Sequence, residues 1–158
     1  MNNMINIKNK ELVNKYPFLA FKKYNFDYDT DSYYIPYDYD YESTWLDAIP
    51  DGWRIAFGEQ LCQELKDALD EYDYTDEYTI LQIKEKYGCL RIYDNGIPIG
   101  CRVHDIIRKY ERISEKTCIG CGKPATKISL GWICPWCDDC AAKISGPFEA
   151  IDKNKDLI

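Results

Sequence analysis

Tyr78-Thr79-Ile80-Leu81-Gln82-Ile83-Lys84-Glu85-Lys86-Tyr87-Gly88-Cys89-Leu90-Arg91-Ile92-Tyr93-Asp94-Asn95-Gly96 is the stretch on which the fold class turns. Ile80, Leu81 and Ile83 favour extended backbone, and Cys89 to Tyr93 is a second β-like run closed by Asp94-Asn95-Gly96. With Lys86-Tyr87-Gly88 as the turn between them, the stretch predicts a β-hairpin. Upstream, after the turn signal Asp51-Gly52, the residues Trp53, Phe57, Leu61, Leu65, Leu69 and Tyr72 recur about every four positions. Cys62 and Ala68 fill the same stripe, so an amphipathic helix is expected there. Downstream, from Ile99 or Cys101, the residues Val103, Ile106, Ile107, Tyr110 and Ile113 predict a second amphipathic helix. A hairpin between two helices makes an α+β core, a small antiparallel sheet packed with both helices on one face.

Towards the N-terminus, Lys10 to Tyr24 reads as a short helix that Pro17 interrupts. The Tyr/Asp-rich segment 25–41 reads as an ordered surface loop, because its rings can pack while its carboxylates stay wet. The expected organisation is an α+β domain over 1–113, a zinc ribbon over 114–144 and a tail over 145–158.

The ribbon rests on cysteine spacing. Cys118-Ile119-Gly120-Cys121-Gly122-Lys123 places two thiolates two residues apart, with glycines for the tight turn beneath an ion. Cys137-Asp138-Asp139-Cys140 repeats the spacing after 15 intervening residues, at the lower edge of the C-x2-C…C-x2-C pattern. The stretch Thr126 to Ile133 can form the hairpin that brings the pairs together. Four thiolates select Zn2+ over hard cations, with iron as the main competitor, and leave no open coordination position, so the expected ion is structural. Cys134-Pro135-Trp136-Cys137 is also C-x2-C, which leaves open a register in which Cys134 replaces Cys140. Trp136-Cys137-Asp138-Asp139-Cys140 resembles a thioredoxin-type active site, but that motif should follow a strand and open a long helix.

Eight cysteines without a signal-peptide h-region or an apolar run of membrane-spanning length suit reduced thiols in a soluble, cytoplasmic protein. The net charge of −7 argues against direct nucleic-acid binding. The charge is segregated: residues 25–80 hold sixteen carboxylates against two cations, whereas 84–112 are mildly basic. The acidic stretch admits a DNA-mimic or protein-interaction role. Asp27-Tyr28-Asp29-Thr30-Asp31 matches the opening of a calcium loop, but Ser32 and Pro36 break the pattern. His104, the single histidine, has no nucleophile motif near it, and Gly96 to Gly100 is not a phosphate-binding loop.

On a strand, Lys84 and Lys86 share a side, and Arg91 and Tyr93 join them across the hairpin, with Tyr87 at the turn. Cations for a phosphate and rings for a base suit a nucleotide; an exposed strand face guarded by lysines is the plainer alternative.

Taken together, Pro50-Asp51-Gly52-Trp53, Ala56 to Cys62, Gln82 to Tyr93, Thr117 to Gly122 and Gly131-Trp132-Ile133 ahead of Cys137 and Cys140 resemble a family of small phage and prophage proteins. That family has a KEKYG-x-LR-type hairpin and a C-terminal zinc ribbon of four cysteines. The resemblance covers about residues 45–142, and because Cys134 is outside the shared pattern it implies the Cys137/Cys140 register. It implies a phage-type accessory protein and carries no activity to particular residues. The expected function is therefore non-enzymatic: binding and neutralising a component of host defence, through a nucleotide signal held at Lys84, Lys86, Tyr87, Arg91 and Tyr93, or through an acidic surface that engages a host protein. A thiol-redox or nucleotide-processing enzyme using His104 or Cys140 is the third reading, and an oligomer is compatible with all of them.

Overall fold

Ile80–Lys86 and Cys89–Asp94 form the expected antiparallel hairpin, with Lys84 opposite Arg91 and Lys86 opposite Cys89. Tyr87 and Gly88, the two residues between them, both take positive φ (52° and 76°), the signature of the type I′ turn that matches strand twist. The computed structural model describes residues 3–21, 26–33 and 41–152 of the chain. In chain order the elements are α1 (Asn3–Lys15), β1 (Phe26–Asp27), β2 (Ser32–Tyr33), α2 (Asp51–Trp53), α3 (Glu59–Asp70), β3 (Ile80–Lys86) and β4 (Cys89–Asp94). They are followed by α4 (Val103–Glu115), β5 (Lys127–Ser129), β6 (Pro135–Trp136), α5 (Asp138–Ala141) and β7 (Phe148–Ala150). Short 3-10 turns at Pro17–Leu19 and Trp45–Ala48 link them.

The helix before the hairpin is wound unevenly: α2 passes into a π-helical turn, Arg54–Gly58, and then into α3. The sequence explains why. An α-helix turns every 3.6 residues, so a repeat of four drifts off its own face; one wider turn takes up that drift and keeps Trp53, Phe57 and Leu61 buried together. Tyr72 falls past the end of α3 and is exposed, so it leaves the stripe expected for it. α4 starts at Val103, not at Ile99 or Cys101, and Ile99 stands fully in solvent.

Helix α1 begins earlier than expected and stops at Lys15, because a residue before proline is pushed out of the helical region; Tyr16 has φ −128° and ψ 82°. Of the Tyr/Asp-rich segment, residues 26–33 form the hairpin β1–β2. Residues 25 and 34–40 lie outside the described residues.

Ile83, Leu90 and Ile92 turn one face of β3–β4 into a core shared with Trp53, Leu61, Leu65, Leu69, Val103, Ile107 and Tyr110. Phe18 meets Tyr78 edge-on at 5.7 Å and Phe57 meets Tyr110 at 5.4 Å. α4 runs beside β4, where the Ser114 hydroxyl accepts the Leu90 N–H at 2.9 Å and so closes an open strand edge. The architecture is thus α+β: helices, small antiparallel sheets and a C-terminal four-cysteine cluster compatible with a zinc ribbon.

The ribbon sheet has the order β6-β5-β7. Its third strand comes from the segment read from sequence as a tail, so the ribbon extends beyond residue 144: Ile128 pairs with Pro135 on one side and with Glu149 on the other. No described helix is long and apolar enough to cross a membrane.

Candidate metal centre

Two turns carry the cysteine pairs to one point. In the first, Gly122 N–H donates to the Cys118 carbonyl at 3.0 Å, and Cys118 N–H donates to the Lys123 carbonyl at 2.8 Å. Gly122 sits at φ +83°, a conformation that favours glycine. In the second, Cys137 caps the one-turn helix α5 and its sulfur accepts the Cys140 N–H at 3.4 Å. β5 and β6 join the two; β5 lies within the stretch Thr126 to Ile133 expected to form this hairpin, whereas β6, at Pro135–Trp136, lies beyond it.

The sulfurs of Cys118, Cys121, Cys137 and Cys140 all lie within 4.8 Å of one another, and those of Cys121 and Cys137 are 3.6 Å apart. These four could hold a metal ion. Cys134 is not among them: it is fully buried in the core beneath the β3–β4 turn, with Gly88 packed on its backbone, and burial pushes its thiol up to about 12. The four-residue α5 is also too short to match the long helix of a thioredoxin motif.

The electrostatics suit a cation. Burial works against ionising Cys118, but N–H groups of Cys137, Cys121 and Gly120 outweigh it and bring that thiol down to about 7. Cys140 is pushed up to about 12, chiefly because the sulfurs of Cys137 and Cys121 share its proton. Four thiolates this close repel one another, and a divalent ion removes that cost while displacing protons.

The cluster is built into the core. Gly52 N–H donates to the Ile119 carbonyl at 2.9 Å, and the buried Trp53 Nε1 donates to the Thr117 carbonyl at 2.9 Å. A Cβ on Gly52 would lie 2.1 Å from the Cys118 carbonyl oxygen. The sequence motifs Pro50-Asp51-Gly52-Trp53 and Thr117 to Gly122, far apart in the chain, are therefore one contact. No local signal announced it.

The other candidate residues do share a face. The pairing sets Lys84 beside Arg91 and Gln82 beside Tyr93, with Lys86 next in line and Tyr87 exposed at the turn. Much of this face is already engaged: Lys84 lies 5.3 Å from the Tyr93 ring centre and Lys86 5.9 Å from that of Tyr87. The Arg91 guanidinium donates to Cys89 Sγ and the Leu90 carbonyl, and pairs with Glu111 at 3.5 Å. His104 Nε2 lies 3.0 Å from Asp94, which also accepts the buried Tyr78 hydroxyl at 2.9 Å. Asp27 is turned inward on its own loop, accepting the N–H groups of Asp29 and Thr30; the Asp29 N–H first, then the Thr30 hydroxyl and N–H, hold its carboxyl below the usual range.

A cleft of about 490 Å³ that the sequence did not suggest lies between the ribbon sheet, the C-terminal end of α4 and the β3–β4 turn. Its lining includes the apolar Ile128, Ile133 and Pro135 together with Glu115, Lys116, Glu149 and Asp152.

No protein-family model, curated protein or solved structure matches the chain.

Proposed function

We propose that the protein is a zinc-ribbon binding protein that acts without turnover, a phage-type accessory factor that neutralises a component of host defence by binding it. The convergence of four thiols carries the first half of this reading. A tetrahedral ion with Zn–S bonds of about 2.3 Å spaces its sulfurs about 3.8 Å apart, close to the 3.6 Å between Cys121 and Cys137. Soft thiolates favour zinc among the available divalent ions. With all four vertices supplied by the chain, water and substrate have no place on the metal, which suits a structural role. Native mass spectrometry of freshly purified protein tests the reading: one zinc per chain is expected, lost in Cys140→Ala. Metal-free protein with an unchanged circular dichroism spectrum would overturn it.

For the partner, the acidic surface favours a basic protein. Residues 25–80 carry the chain's excess of carboxylates, and the cleft beside the ribbon is lined by three more acids and one lysine. Association should weaken with salt and with Asn at Asp27, Asp29, Asp31, Asp38 and Asp40. Binding that ignores both would exclude this mode.

One observation supports a second reading, a nucleotide ligand. Tyr87 is 74% exposed in a left-handed conformation where Asn or Gly would be easier, with Lys86 beside it. Calorimetry with a panel of cyclic nucleotides should give heat that falls on Lys84→Ala or Arg91→Ala. A silent panel would exclude the nucleotide.

A further inference from the structure

We propose that the cleft beside the ribbon, together with the outer edge of β7, takes an extended basic peptide segment of a partner protein as an added strand. The inference rests on the protein-binding reading above and gives it a place and a chemistry.

The β5–β7 pairing defines the edge. Leu130 N–H donates to the Pro147 carbonyl and Ile151 N–H to the Thr126 carbonyl, both at 3.0 Å, and Glu149 stands opposite Ile128. In an antiparallel pair, bonding alternates along the strand. Pro147, Glu149 and Ile151 therefore bond inward, and the N–H and C=O of Phe148 and Ala150 point away from β5. Among the described residues β7 is the end strand of its sheet, so these groups form a template for one more strand.

The cleft supplies specificity. Cross-strand partners share a face, so Pro135, Ile128 and Glu149 point the same way across all three strands. The cleft lies on that face, lined by the apolar Ile128, Ile133, Pro135 and Ile151 and by Glu115, Lys116, Glu149 and Asp152; Lys116 and Asp152 are already engaged, so Glu115 and Glu149 are the carboxylates offered to a ligand. Glu115 is the last residue of α4, where the helix end adds partial negative charge. A strand paired to β7 sends every second side chain into this cleft. Long cationic side chains fit best, since their alkyl stems can lie on the apolar lining while the charged ends reach Glu115 and Glu149. The volume lies within the ordinary range of ligand sites.

The test is fluorescence polarisation of the zinc-loaded full chain with two labelled octapeptides, one alternating Arg with Val and one alternating Glu with Val. The Arg peptide should bind at least about tenfold more tightly. Glu149→Lys, which reverses the charge on the cleft wall, should weaken it about tenfold. Ala150→Pro removes an outward N–H and should weaken it similarly, zinc content and circular dichroism being unchanged. Asp105→Lys, a remote charge reversal on α4, should leave it alone. Equal binding of the two peptides, or full binding by Glu149→Lys and Ala150→Pro, overturns the proposal. So does salt-sensitive binding of an intact lysine-rich protein with no binding of either peptide, which would leave the acidic-partner reading standing.

Discussion

Gly52 shows how much one absent methyl group can hold. Its backbone needs no unusual φ, yet a Cβ would sit 2.1 Å from the Cys118 carbonyl oxygen, so helix α2 can touch the first cysteine turn only through glycine. Gly52→Ala should destabilise the protein by about 3 kcal/mol or more in urea unfolding, since both neighbours are backbone and neither can swing aside. A loss under about 1 kcal/mol would mean that the two turns are not in contact. Cys134 presents the opposite case, a residue whose chemistry looks functional and whose position is structural. Its spacing from Cys137 equals that within each pair of the four-cysteine cluster, so pattern alone could not decide between Cys134 and Cys140; what separates them is packing under Gly88, a contact across almost fifty residues. Cys134→Ala should keep the metal and lose about 1–2 kcal/mol through a small cavity, whereas Cys140→Ala should lose the metal. Metal analysis of the two purified variants checks both.

At the scale of elements, local signals were strong wherever one element made its own contacts. The hairpin turn at Tyr87-Gly88, the α3 stripe and the α4 stripe were legible because apolar period and turn chemistry act over a few residues. The π-helical turn was not read from the same stripe, although a spacing of four drifts off the face of a uniform α-helix. β7 was not legible, because a three-residue strand acquires its identity only from β5. The turn itself is imperfect, for Tyr87 occupies a position that asparagine fills more easily. Tyr87→Asn should therefore raise stability by about 0.5–1 kcal/mol in thermal unfolding, and a fall would show that the ring holds the hairpin in place. The end of α3 offers a pH test. Asp70 is held below the usual carboxylate range, first by its hydrogen bond from Lys66 and then by that from Thr75. A lowered folded-state value means that the unfolded chain takes up protons first. The contribution is complete above the unfolded value of about 3.9 and fades as pH falls through the lower folded one. Asp70→Asn should thus narrow its deficit against the wild-type protein between about pH 5 and pH 3, by a few tenths of a kcal/mol for so exposed a pair.

Across the whole molecule, the sequence suggests a domain with an appended ribbon, and the packing joins them. Ile119 and Cys134 belong to the same apolar cluster as Trp53, Leu90 and Val103, and Trp53 donates its indole N–H into the first cysteine turn. The ribbon's own resources are slight: three strands of two or three residues and a one-turn helix, too little apolar surface to fold without help. A metal ion held by the four cysteines would therefore stabilise it jointly with the core. If the ion held only a detached ribbon, chelation would melt the last third and leave the remainder at its original melting temperature. Because the first cysteine turn is seated against Gly52 and Trp53, removal of the proposed ion should instead weaken both parts. A chelator should lower a single unfolding transition by about 10 °C or more, as a loss of several kcal/mol would in a chain of this length. Hydrogen exchange should quicken at Ile119 and Gly122 and also along α2, where the Gly52 and Trp53 contacts are made. Two separate transitions, with α2 protected as before, would show that the contact between helix and cysteine turn does not couple the two parts.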